Sequence, residues 1–387
     1  MKRSVFLAIF FAIGFLMTMA QDFSRYVDPR IGSEGLGRTF PGPCMPYGMA
    51  KPGPDAVSMP NAGWAPMPEP VKGFSQMHVS GTGGGQKYGN ILIQPFLDAG
   101  DIIQKRVDEK IALGYYACTF ENGIRTEITA SERCAFYRLD YGRKQKGKLM
   151  IDVATFLGID TIPDKRETQQ YVDSYVTCDG KYAVSGWSTV RGGWNNGGPY
   201  TVYFYLQSDV PLSNCDVPLS NSDAPLYNKV KESKTRLDVA FSKSVVNLKV
   251  GISHISIAQA RRNIPSCGFD TQLKNVRKTW NGKLGKIEIA ATEKQKRMFY
   301  TALYHTMLMP VDKSGENPHF SATPYYDDYY AIWDTYRTSM PLLTLIEEPQ
   351  QRDMVNSLLN IYKHDGYMPD ARSGNWNGRT QGGSNAD

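Results

Sequence analysis

The hydrophobic period of the 387-residue chain changes once, near Asp270, and that change limits what it can fold into. From about residue 90 to 260 the pattern is that of strands. Tyr115 to Phe120 and Ile124 to Thr129 flank Glu121-Asn122-Gly123, and Asn-Gly between two such runs is a strong hairpin signal. Asn90 to Pro95, Phe136 to Tyr141, Lys148 to Val153, Thr201 to Leu206 and Val245 to Ser256 read as further extended runs. Many short strands with turn residues between them and little helix predict a β-sandwich. After Asp270, Gln272 to Gly282 reads as a connecting helix and Lys286 to Ala290 as a short strand. The period then becomes 3.6. Met298, Ala302 and Thr306, with Phe299, Leu303 and Met307, predict one broad apolar helix face. Tyr336, Met340 and Leu343 predict a second helix stopped near Pro349; Val355, Leu358, Leu359 and Tyr362 predict a third, ended by Gly366 and Pro369. A chain of this length exceeds one ordinary core, so the order is a strand domain followed by a helical one.

Residues 1–20 stand apart. Lys2-Arg3, the apolar run Val5 to Met17 and the small residues before Gln21 form the pattern of a secretory signal, too short to span a bilayer. No later segment is apolar enough to cross a membrane, so the expected location is secreted or periplasmic. The net charge of +6 comes with no long or aromatic-interleaved basic block, which argues against nucleic acid. Cys44, Cys118, Cys134, Cys178, Cys215 and Cys267 are too widely spaced for a zinc pattern, and most are expected as isolated buried thiols. Residues 208–235, rich in Ser, Asn, Asp and Pro, read as a long surface excursion.

Residues 22–95 are dense in Gly and Pro. Gly81-Thr82-Gly83-Gly84-Gly85 invites a phosphate-loop reading, but no Lys-Ser/Thr follows, and an extended run stands where a helix should begin. His78 in the same stretch has two readings, a hydrogen-bonded structural histidine or a ligand contact. The densest chemistry is Trp333-Asp334-Thr335-Tyr336-Arg337, just after Tyr325-Tyr326-Asp327-Asp328-Tyr329-Tyr330. Asp334 and Arg337 are three apart, so a helix would put them on one face. Together they could grip a polyol, the carboxylate accepting from hydroxyls, the guanidinium donating, and the indole covering an apolar sugar face. On the motif alone the simpler reading is an internal Asp–Arg ion pair with the Trp and Tyr as core.

Several motifs, in order along nearly the whole chain after residue 20, resemble glycoside hydrolase family 92. They are Val27-Asp28-Pro29-Arg30-Ile31-Gly32, Phe40-Pro41-Gly42, Pro46-Tyr47-Gly48-Met49, Gly73-Phe74-Ser75 with His78-Val79-Ser80-Gly81, Phe299 to His305, Trp333 to Arg337, and the stretch from Gly366-Tyr367-Met368-Pro369 onward. The resemblance implies a secreted, calcium-dependent, exo-acting α-mannosidase that inverts the anomeric centre of mannose-containing glycans. It also implies an N-terminal β-sandwich over 21–265, a helical connector over 266–290 and the first part of an (α/α)6 barrel over 291–387, apparently truncated. Trp333, Asp334 and Arg337 would contact the terminal mannose, with His78 and Gly81 bordering the pocket from the sandwich side.

Inversion needs one carboxylic acid to protonate the leaving oxygen and one carboxylate to activate water. In the family both come from later in the barrel than residue 387, as do most calcium ligands. No catalytic residue is therefore assigned here, and Asp327, Asp328 and Asp370 are not promoted to that role. The loop Gly81 to Lys87 lacks the aromatic carried by some members that act on α-1,2 bonds, so other α-linkages stand equally open. The alternative function is a non-catalytic carbohydrate-binding or vestigial protein, should the chain be naturally complete.

Overall fold

The computed structural model describes residues 21–35, 37–98, 100–143, 146–158, 167–214 and 235–378. The expected leader, most of the 208–235 excursion, Cys215 and the last nine residues lie outside the described residues. The strand region comprises β1 (Gly53–Ala56), β2 (Val71–Ser75), β3 (Leu92–Phe96), β4 (Arg106–Ala112), β5 (Tyr115–Phe120), β6 (Arg125–Ala130), β7 (Cys134–Asp140), β8 (Lys148–Asp152), β9 (Gln169–Cys178), β10 (Ala183–Gly192), β11 (Tyr200–Ser208), β12 (Leu212–Ser213), β13 (Arg236–Phe241) and β14 (Val245–Ser253). They form two sheets, one of six strands in the order β1-β2-β3-β8-β13-β12 and one of eight in the order β4-β5-β6-β7-β14-β11-β10-β9.

The two sheets share one core. Phe74 of β2 meets Tyr116 and Phe120 of β5 and Tyr137 of β7 at ring-centroid distances of 6.1, 6.2 and 6.4 Å. Val184, Val202, Phe204, Leu206, Leu248 and Val250 extend the same core from the larger sheet, and Ile93, Leu149, Ile151 and Val239 from the smaller. The Asn-Gly hairpin forms as the sequence predicts: Gly123 sits at φ +86°, and its N–H bonds the carbonyl of Phe120 at 2.9 Å.

The helices begin directly after β14, with α1 (Ile257–Arg262) and α2 (Phe269–Leu284). A Cβ on Gly251 would lie 2.2 Å from the Ala260 carbonyl oxygen, so only glycine lets α1 lie this close on β14. α2 buries Phe269, Gln272, Val276, Trp280 and Leu284, a stripe at helical spacing. The Trp280 indole donates to the Cys44 carbonyl at 2.7 Å and ties this helix to the N-terminal loops. The strand expected at Lys286 to Ala290 is absent. That segment is irregular and ends at Thr292, whose side chain forms a capping box with Gln295 and starts α3 (Glu293–His305).

The apolar face of α3 also differs from the sequence expectation. Tyr300, Leu303 and Tyr304 are buried, whereas Met298 is 60% exposed. The rings of Phe23 and Tyr26 stand 5.3 and 5.4 Å from Tyr300, and this N-terminal aromatic pair selects which side of the helix faces inward. Beyond it come β15 (Val311–Asp312), β16 (Tyr326–Asp327), α4 (Ile332–Thr335), α5 (Ser339–Ile346), α6 (Glu348–Asp365), β17 (Arg372–Ser373) and β18 (Trp376–Asn377). Pro349 opens α6 from its first turn as well as following α5, since a missing N–H costs nothing there. α6 buries Met354, Leu358 and Ile361 and leaves Val355, Leu359 and Tyr362 of the expected face exposed. Gly366, at φ +83°, caps it.

Among the described residues no helix is long and apolar enough to cross a membrane. Cys44, Cys118 and Cys134 are buried free thiols and Cys267 a half-buried one, while Cys178 is disulfide-bonded.

Candidate functional site at the junction of strands and helices

The strand domain and the helical part meet at a buried, charged seam. Its centre is the Lys313 ammonium, which lies just after β15. It stands 2.8 Å from Asp327 Oδ2, 3.0 Å from Asp328 Oδ2 and 2.9 Å from the hydroxyl of Tyr88, which comes from the strand domain. Tyr88 in turn donates to Asp328 Oδ1 at 2.5 Å. Asp327 is also 3.3 Å from the Arg372 guanidinium and accepts from the Asn375 N–H at 2.8 Å. The Gly374 N–H donates to the Tyr88 hydroxyl at 3.1 Å. Two carboxylates and two cations, all nearly excluded from water, are thus paired with one another, with Asp327 Oδ1 held by the ion pair and by no hydrogen bond among the described residues.

Burial alone would push the Lys313 pKa down, but the charges of Asp327 and Asp328 overcome it and hold the ammonium above the ordinary lysine value. Burial likewise works to raise Asp327, yet Lys313 and Arg372 together hold its carboxyl below the usual range. His254 places Nδ1 2.9 Å from the Thr201 carbonyl; burial first, and then Lys313, push its pKa down to about 4.

Lys87 enters the same seam from the glycine-rich loop. Its ammonium donates to the carbonyls of Gly192 and Asn196 at 2.6 and 3.1 Å and lies 4.8 Å from the Tyr200 ring centroid. Burial lowers its pKa from 10.5 to about 7, although Asp328 and Asp327 oppose the shift. Between those values the unfolded lysine is protonated and the folded one largely is not. The unfolded state then binds more protons, and stability rises with pH from about 7 to about 10.5, by at most about 1.4 kcal/mol per pH unit. Lys51, lowered to about 8 chiefly by burial, adds in the same direction. Lys87→Met is therefore expected to shrink the gain in unfolding free energy between pH 7 and 9 by roughly 2 kcal/mol, read from urea titrations at the two pH values. An unchanged gain would show that another group titrates.

The residues singled out in the sequence separate into two sets. Gly81 is exposed at φ +68°, and a Cβ built on it would lie 3.6 Å from the Tyr330 hydroxyl. The glycine loop thus stands beside the segment leading into Trp333 and Asp334. The single turn of α4 ends before Arg337, so Asp334 and Arg337 do not share a continuous helix face. Both are exposed, and among the described residues neither makes an ion pair; the Arg337 guanidinium instead lies 5.2 Å from the Tyr336 ring centroid. Trp333 is half-buried, and its indole N–H is buried without a hydrogen-bond partner among the described residues.

His78 falls in the other set. It is buried, with Nδ1 2.7 Å from the Lys51 carbonyl and Nε2 2.8 Å from Asp55 Oδ1, and it stacks on Phe40 at 4.9 Å. With both nitrogens committed inside the strand domain, it braces the loop and presents no free atom to a ligand. The sequence reading missed Lys313, Tyr88 and Arg372. The available signal was Asp327-Asp328 inside a Tyr-rich, buried run, because a pair of acids in such a run needs a cation.

Two family matches cover nearly all of the described chain: residues 26–253 match the glycosyl hydrolase family 92 N-terminal domain and residues 257–387 the family's catalytic domain. The chain belongs to glycoside hydrolase family 92. A relative from Arthroderma benhamiae, named as an uncharacterized secreted glycosidase, is 28% identical over 95% of this chain and 48% of its own length. A family 92 α-mannosidase from Bacteroides thetaiotaomicron superposes with a TM-score of 0.77 at 23% identity, over 92% of this chain and 52% of that one. An inverting mannosidase of the same family and organism gives 0.72 at 23% identity, over 94% and 51%. The fold is shared, and the chain spans about half the length of each of these relatives.

Proposed function

We propose that this chain is the N-terminal half of a secreted or periplasmic exo-acting α-mannosidase that removes terminal mannose from glycans with inversion. The observation that carries the reading is the pair of family matches, strand domain and then catalytic domain, in unbroken order along one chain. The approach of Gly81 to Tyr330 supports a pocket drawing on both parts, with Trp333, Asp334, Arg337 and Gly81 as its contacts. A buried indole N–H without a partner beside an exposed, unpaired carboxylate suits a ligand that brings its own hydroxyls.

The helical part is proposed to be the first portion of an (α/α)6 barrel. The general acid and base, and most of the calcium ligands, belong in this reading to sequence that the longer relatives carry beyond the matched half. Among the described residues no three His, Cys, Asp or Glu side chains gather to hold a metal ion. They do not fit a calcium centre on their own, and no catalytic step is drawn through one.

The test is hydrolysis of an aryl α-mannoside in the presence of calcium. Purified residues 21–387 are expected to release no aryl alcohol above background, because an absent acid–base pair costs several orders of magnitude in rate. The same half fused to the remaining catalytic domain of a family member is expected to turn over. Turnover by the isolated half, with contamination excluded, would refute the assignment of the catalytic groups.

A further inference from the structure

A cleft of about 440 Å³ opens at a second junction of the fold, lined by Met45, Tyr47, Glu132, Arg133, Thr279, Lys283, Asp312, Tyr326 and Gln350. That volume lies within the roughly 300–1,000 Å³ typical of small-molecule sites. The cleft is distinct from the charged seam. Asp312 and Tyr326 are directly opposed in the β15–β16 pair and both line it, whereas the next residue, Asp327, points the other way to Lys313.

Its floor is the ring of Tyr47, edge-on to Tyr326 at 6.4 Å. Tyr47 holds φ at +56°, a backbone state that bulky residues rarely adopt, fixed by hydrogen bonds from its N–H to Met307 O at 2.8 Å and from Asp312 N–H to its carbonyl at 2.9 Å. Its side-chain hydroxyl is buried and has no hydrogen-bond partner among the described residues.

The charges around the cleft select the ligand. Arg133 is engaged with Glu316 at 3.5 Å and with the Ser314 carbonyl at 2.6 Å, and Lys283 is paired with Glu347. Both cations are already paired with a buried carboxylate, which weakens their hold on an anion. Glu132 and Asp312 make no ion pair among the described residues, and the Asp312 carboxylate accepts only the Ser314 N–H, at 2.9 Å. Two acidic side chains fall short of a metal cage, and no such cluster of three exists among the described residues. What remains is a pair of free acceptors, an amide at Gln350, a hydroxyl at Thr279 and the aromatic floor of Tyr47, with the Lys283 ammonium 5.9 Å from its ring centroid. That set matches a neutral ligand that donates several hydroxyls and presents a carbon face.

We propose that this cleft is a second carbohydrate-binding site, taking one neutral sugar residue through its hydroxyls, separate from the Trp333–Asp334 region. The test is titration of the 387-residue chain with methyl α-mannoside and methyl α-glucoside, followed by saturation-transfer NMR and calorimetry. Three variants are compared with the parent: Glu132→Gln/Asp312→Asn, Thr279→Trp and Asp334→Ala. Saturable binding is expected in the parent, and the component that belongs to the cleft should survive Asp334→Ala with its affinity unchanged within about twofold. It should weaken about tenfold or more in Glu132→Gln/Asp312→Asn, which removes two charged acceptors, and in Thr279→Trp, which fills the cleft. The double variant keeps side-chain shape, so it remains informative if the tryptophan variant misfolds. Loss of all binding in Asp334→Ala would place the sugar in the Trp333 region and overturn the second site. So would parental affinity in the double variant, or no saturable binding in the parent. None of these outcomes depends on mannosidase turnover, so failure of the cleft and failure of the proposed activity are told apart.

Discussion

Lys313→Met is expected to lower the unfolding free energy by about 3–5 kcal/mol, the usual cost of removing one partner from a buried ion network. The side chain fits the space, so the loss comes from charge rather than volume. Asp327 and Asp328 stand within 3.0 Å of the ammonium, and with it gone Asp327 keeps its ion pair with Arg372 while Asp328 keeps none among the described residues. Tyr88 also loses one of its three links to the helical part, the 2.9 Å bond from Lys313, and keeps those to Asp328 and Gly374. The loss should fall first on the helical part. Urea unfolding gives the magnitude, and limited proteolysis should show new early cuts after residue 313. Adding Asp328→Asn to Lys313→Met removes one of the stranded charges and should recover part of the loss. A change below about 1 kcal/mol in the single variant would mean that water reaches the carboxylates and that the seam is not sealed.

That seam shows why the sequence could be read only in part. Local signals carried through: the Asn122-Gly123 turn, the Thr292 start of α3 and the Gly366 stop of α6 each depend on one or two residues and their immediate neighbours. β1 was harder to read because every residue in it is buried and it contains proline, so no alternation marks it as a strand. Leu303 and Met307 of the expected α3 face are buried, and the exposure of Met298 and Ala302 has a long-range cause, since Phe23 and Tyr26, far off in sequence, pack on Tyr300 instead. The same holds for the site. Tyr88 and Asp328 touch across 240 residues, and His78 finds Asp55 across 23. Composition near His78 gave no means of telling a brace from a ligand contact. Asp55 and the Lys51 carbonyl decide that question, and only the fold brings them to the ring.

Asp334→Ala, in a protein joining this sequence to the remaining catalytic domain of its relatives, is expected to reduce kcat/KM by about 30- to 1,000-fold, or about 2–4 kcal/mol. A terminal mannose in a closed pocket needs a partner for each hydroxyl once water has left, and an ionised carboxylate can only accept. The structure sharpens this prediction by weakening its rival. Had Asp334 and Arg337 formed an internal ion pair, removing the carboxylate would lower the melting temperature and leave the kinetics of the folded fraction near normal. Instead Asp334 is exposed, no ion pair holds it among the described residues, and Arg337 lies past the end of α4 beside the Tyr336 ring. An exposed carboxylate of that kind should change stability by no more than about 0.5 kcal/mol. The measurement is therefore paired, with melting temperature and kcat/KM taken on the same preparation. Near-parental kcat/KM would remove Asp334 from the pocket, whatever the melting curve shows. A kinetic loss accompanied by a large fall in melting temperature would instead make the residue part of the scaffold in the longer protein. The expected pair is an unchanged melting temperature and a slow enzyme, because in the proposed pocket the carboxylate serves a sugar hydroxyl and it has no ion-pair partner to lose among the described residues.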